Sequence, residues 1–274
     1  MRTAKFEIEV LRFRGGRKVR ERKTLRIDIP TKVEEITLEA WGRFEVVRDA
    51  SPDSVQQLAN GGSLEGIDPF TYTEIVDQTL KAIYALALNH KDLCKTDLLQ
   101  LPVSKHSKDN EADTLMAILA LIMEPIAKYK PKAREAFTHR GSEYAFYTSY
   151  LDQFGTNWVG KDLRTAEAVE ALQLEHAFLQ RDDKGHLAPQ AKYKSSCALL
   201  ALLTRRVGEG GEIEYPPVSL AERTEWLDSR MAEFRTVPLD VALDLDFFFE
   251  SSKSSYLRTL FSRLLGARGR RPHR

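Results

Sequence analysis

The sequence predicts a mainly α fold: a helical, bundle-like body with an N-terminal β-hairpin arm. Three observations predict it. KFEIEV and TLRIDI alternate apolar and polar residues around Gly15-Gly16. From Thr37 onward, apolar residues recur mostly at helical spacing. Finally, 274 residues with 42% hydrophobic content can bury a sizeable core.

Gly15-Gly16 suits a two-residue hairpin turn, because glycine tolerates positive φ. Folding there sets Phe6 beside Leu25, Ala4 beside Ile27, and Glu9 opposite Arg22. Pro30 ends the second strand. Thr37 caps a helix with Leu38, Trp41, Phe44 and Val47 on one stripe. A short helix, VQQLAN, and a loop, GGSLEGIDPF, follow. The next helix aligns Val76, Leu80, Ile83 and Ala87.

KTDLLQLP reads as a short helix capped by Thr96 or Asp97. SKHSKDNEAD is a charged loop. DTLMAILALIMEPIAKY, apolar nearly all round, is expected to be the central helix, kinked or ended by Pro125. TAEAVEALQLEHAFLQ aligns Val169, Leu172, His176 and Leu179, and a turn follows around Gly185. YKSSCALLALLTRRV reads as helical throughout. Ser219 and Glu222 suit a capping box for a helix burying Leu220, Leu227, Met231 and Phe234. Segments 239–249 and 254–265 complete the body as short helices. The organisation is thus a hairpin over 1–30, a body over 31–266 with a subdivision near 103–112, and a flexible basic tail over 267–274.

Charge is concentrated at the ends. Residues 1–30 hold ten Lys/Arg against four Asp/Glu, and residues 252–274 hold seven Lys/Arg and no Asp/Glu. With a total of +1, the middle carries an excess of twelve negative charges. Such polarity favours docking between a basic end and an acidic protein surface. The opening lacks a secretory signal, and no apolar run is long enough to span a membrane.

Cys94 and Cys197 give no disulfide framework and read as buried thiols of a reducing compartment. Phosphate loops, H-E-x-x-H, C-x-x-C and the nucleophile elbow are absent. His90 and Cys94 are only two ligands at i,i+4 spacing. His176 reads as a core histidine, and His106, His139, His186 and His273 as solvent-facing. Asp240, Asp244 and Asp246 fit an amphipathic helix. These patterns nominate no catalytic residue, metal or cofactor, and the expectation is a protein that is not an enzyme.

The binding residues it nominates are Arg12, Arg14, Arg17, Lys18, Arg20 and Arg22 on the hairpin tip, with Arg268, Arg270 and Arg271 on the tail. They suit protein docking or phosphate contact. Stretches of the chain resemble small proteins of tailed-bacteriophage genomes: RIDIPTKVEEITLEAWGRFEVV, LALNHKDLCKTDLLQLPVS and AERTEWLDSRMAEFRTVPLDVALDLDFFFESS. The resemblance leaves 103–215 unaccounted for and carries over no catalytic residue. It implies a tail-associated or chaperone-like tail-assembly protein of virion morphogenesis. Such a protein works in the host bacterial cytoplasm or in the virion, through other structural or assembly proteins or as a homo-oligomer. The alternative is a nucleic-acid-binding accessory protein using the same hairpin and tail.

Overall fold

The computed structural model describes residues 1–49, 68–101, 114–132, 134–146, 165–183, 185, 187–212, 214, 216–217 and 219–245. Outside them lie the expected helices at 55–60 and 254–265, the loop at 104–113, and the tail. The chain divides into two compact units, Met1–Tyr129 and Lys130–Arg274.

The first unit opens with the hairpin, β1 (Arg2–Arg14) and β2 (Arg17–Ile29). Phe6 faces Leu25, Ala4 faces Ile27 and Glu9 faces Arg22, the register expected from the sequence. Gly15 and Gly16 have φ of 57° and 78°, the left-handed pair that a tight hairpin turn requires. Alternation then does its work. Ala4, Ile8, Leu25, Ile27 and Ile29 are buried on one face, while Lys5, Glu7, Arg22 and Arg26 on the other are exposed.

A 3-10 turn at Val33–Glu35 leads into α1 (Leu38–Asp49). The Thr37 hydroxyl accepts from the Ala40 amide at 3.2 Å, as an N-cap should. In α2 (Pro69–Leu86), Asp68 caps and Pro69 takes the first helical position, where a missing N–H costs nothing. The expected loop therefore ends one residue before Pro69. The single turn α3 (Lys95–Leu98) is preceded by Cys94, without a side-chain cap from Thr96 or Asp97. Asp97 is instead buried against the sheet, taking Lys23 Nζ at 2.5 Å.

Helix α4 (Leu115–Lys128) continues through Pro125 for another turn. It is not the fully enclosed central helix expected. Leu115, Ile118 and Ile122 are buried, whereas Leu121, Met123 and Ile126 are half-buried. Helix α1 packs on α2, α2 on α4, and α4 on β2.

The second unit corrects the fold class. Its antiparallel sheet, β3 (Ala136–His139), β4 (Ser142–Phe146) and β5 (Thr204–Val207), is ordered β3-β4-β5. The protein is therefore mixed α/β, not a helical bundle with a hairpin. Helix α5 (Thr165–Phe178) packs on α6 (Ala191–Leu203), and α6 packs on α7 (Leu220–Phe234). The expected helix through Val207 stops at Leu203, where the chain enters β5 and Thr204 Oγ1 donates back to Leu200 O at 2.6 Å. The most enclosed described helix is α6, with every residue from Cys197 to Leu203 buried. Residues 239–245 form a further helical segment.

Smaller expectations also change. Gly185, with φ of 81°, does sit in a turn, closed by an isolated bridge between Arg181 and Leu187. Ser219 precedes α7 but its side chain caps nothing, so no capping box forms. His176 is exposed, because α5 turns Ala171 inward instead. His139 is buried, its Nε2 3.2 Å from Glu233 O. Cys197 is buried as expected, but Cys94 is exposed.

Candidate functional site

The basic hairpin tip is built by register. At the base of the hairpin Ile8 is buried and Lys23 is held by Asp97. Beyond them the two strands run on to Gly15-Gly16, a reach of about 20 Å at about 3.3 Å per residue. Residues 14–20 are exposed without exception.

Pairing places Arg14 opposite Arg17, and Arg12 opposite Val19, across the turn. Strand periodicity puts Lys18, Arg20 and Arg22 together on the solvent-facing side, continuous with Arg26. The tip thus carries cations on both faces. Arg14 lies 3.4 Å from Glu21 and Arg20 lies 3.7 Å from Glu9, with arginine side chains 71% and 79% exposed. Ion pairs this open contribute well under about 1 kcal/mol, so a partner's carboxylates can displace them at little cost. Arg268, Arg270 and Arg271 lie outside the described residues.

The hairpin edges differ. At the base of β2, Asn89 Oδ1 accepts from Asp28 N at 2.9 Å and Asn89 Nδ2 donates to Arg26 O at 3.0 Å. Leu88 N adds a bond to Asp28 O at 3.0 Å. One carboxamide thus stands in for a neighbouring strand and closes this edge. No such cover meets β1 among the described residues.

No protein-family model, curated protein or solved structure matches this chain.

The first unit also holds an apolar cleft of about 350 Å³ between α1, α2 and α3, lined by Arg43, Val47, Leu80, Tyr84 and Leu98 among others. Lys81 and Lys95 stand at its margin, both paired with Asp77 at 2.6 and 2.8 Å. Among the described residues that line it there is no carboxylate, histidine or thiol, and so no acid–base pair. Among the described residues, no group of three His, Cys, Asp or Glu could hold a metal ion. His90 and Cys94 accordingly gain no third ligand there.

The second unit contains polar groups that the sequence reading passed over. Arg134 bridges two buried carboxylates, donating from Nε to Asp244 at 2.7 Å and from Nη2 to Asp240. Burial works against the Arg134 charge, but hydrogen bonds to Asp244 and the field of Asp240 outweigh it and raise its pKa. Asp240 and Asp244 are thus structural anchors. Spacing put both on one helical face, but nothing nearby in sequence identified Arg134 as their partner.

Arg230 is 4% exposed and lies over the rings of Trp226, Phe234 and Tyr144 at 5.0, 5.1 and 5.3 Å. Its Nη1 donates to Glu214 at 3.2 Å and its Nη2 to Thr204 Oγ1 at 3.2 Å. Burial lowers its pKa. Beside it, burial and the hydrogen bond to Glu233 push the Tyr144 phenol up to about 12. Because the fold holds the phenol proton more tightly than the unfolded chain does, its stability contribution is complete below pH 10. It declines as pH rises from about 10 to about 12. Urea midpoints across that window should fall more steeply for wild type than for Tyr144→Phe.

Proposed function

We propose that this protein acts by binding, not catalysis, as a phage-type virion or tail-assembly protein whose basic hairpin tip docks on an acidic protein surface. One observation carries this reading. A two-stranded finger runs on beyond the buried Ile8 and the Lys23–Asp97 ion pair and presents Arg14, Arg17, Lys18, Arg20 and Arg22 to solvent. Charged side chains also guard a sheet edge against aggregation, but this finger carries a row of cations on each face.

Register-fixed cations orient an encounter and raise its rate. The resemblance of the opening, middle and closing stretches to phage tail-assembly proteins supplies the biological setting, the host bacterial cytoplasm or the particle itself. No described helix is long and apolar enough to cross a membrane, which agrees with partners in aqueous surroundings.

Nucleic acid is the competing partner, and salt dependence separates the two. Fluorescence anisotropy with labelled 30-mer single- and double-stranded DNA and RNA, titrated at low and physiological salt, should give negligible binding. Tight, steeply salt-dependent binding would replace the docking reading with the nucleic-acid one.

A further inference from the structure

The uncovered edge of β1 has a chemistry of its own, independent of the basic tip. Because Asp28 and Arg26 turn their backbone groups outward to Asn89, the even residues of β2 face away from β1. The register then makes the odd residues of β1 the ones that face away from β2: Thr3, Lys5, Glu7 and Glu9. Among the described residues no backbone group of these four is hydrogen-bonded to anything. A strand edge of this length is a template for another strand.

We infer that β1 pairs antiparallel with β1 of a second copy, about a two-fold axis at Phe6. The charge pattern selects both occupant and register. With Phe6 facing Phe6, Lys5 lies opposite Glu7 of the second copy and Glu7 opposite its Lys5, while Thr3 meets Glu9. On the other face Ala4 meets Ile8, extending the buried apolar side of the sheet, and the half-buried Phe6 rings meet at the axis.

Shifting the axis to residue 5 sets Lys5 against Lys5, and shifting it to residue 7 sets Glu7 against Glu7; both oppose like charges. A two-fold pair also closes on itself, since each β2 edge is already sealed at its base by Asn89. The product is a continuous four-stranded sheet with the tips at its far sides. Lys5 and Glu7 are exposed side chains, so changing them leaves the packed face intact.

Analytical ultracentrifugation of the full chain over a micromolar concentration series tests this. Wild type should sediment as a dimer of the 31.2 kDa chain. Lys5→Glu and Glu7→Lys should each weaken dimerisation about tenfold or more. The double swap Lys5→Glu/Glu7→Lys should restore it, and an equimolar mixture of the two single variants should form a heterodimer. A monomeric wild type, or a dimer indifferent to these charges, would overturn the inference. Variants of the tip should leave the dimer unchanged, so failure here and failure of docking read out separately.

Discussion

Replacing Arg134 with alanine should destabilise the second unit by about 3–5 kcal/mol, because it removes the guanidinium that two buried carboxylates share. Asp244 has a side chain that is 0% exposed and Asp240 one that is 5% exposed, so water cannot replace the guanidinium without opening the fold. Against a typical domain stability of about 5–15 kcal/mol, such a loss is large. Urea unfolding reports it directly.

Lysine at this position keeps the charge but cannot span both aspartates in the arginine's two-pronged way, so it should recover only part of the loss. Replacing all three groups together, Arg134→Met with Asp240→Leu and Asp244→Leu, should recover part of the loss, since the buried charges are then removed together while the Lys132 amide loses its acceptor on Asp244. A loss below about 1 kcal/mol in the alanine variant would show that the carboxylates are not held as described.

The second large effect concerns association. Changing Arg14, Arg17, Lys18, Arg20 and Arg22 together to glutamine should abolish partner binding while leaving the fold almost unchanged. The positions are all exposed and lie beyond the packed base of the hairpin, where single surface substitutions usually alter stability by less than about 0.5 kcal/mol. Removing ion pairs as open as Arg14–Glu21 and Arg20–Glu9 adds little to that. A loss of binding that accompanies a large fall in thermal midpoint would instead assign these residues to structure.

How legible each part was follows from how local its determinants are. The hairpin could be read to the residue, because a period of two and a Gly-Gly turn leave one register that buries Ala4, Ile8, Leu25 and Ile27 together. The second sheet was not legible. Strands β3 and β4 have four and five residues, and β5 reaches them from about sixty positions away at the end of an apolar helix.

The turn between β3 and β4 also hid itself. Arg140 takes a left-handed φ of 49°, a conformation usually left to glycine or asparagine, while its Nη2 bonds Thr236 at 3.0 Å. The Arg134 bridge spans 106 and 110 positions to its partners, beyond the reach of any spacing rule. His139 and His176 exchanged their expected places for a related reason. Neighbouring polarity in the chain says little about which side of a strand or helix meets the rest of the fold.

The most direct test of the basic finger is capture from nuclease-treated lysate of the native host, with wild type and the five-fold glutamine variant immobilised side by side and bound proteins quantified by mass spectrometry. The account predicts an acidic virion or assembly protein retained by wild type, released by moderate salt and lost with the variant. Equal retention by both, or nothing retained by wild type, would contradict it.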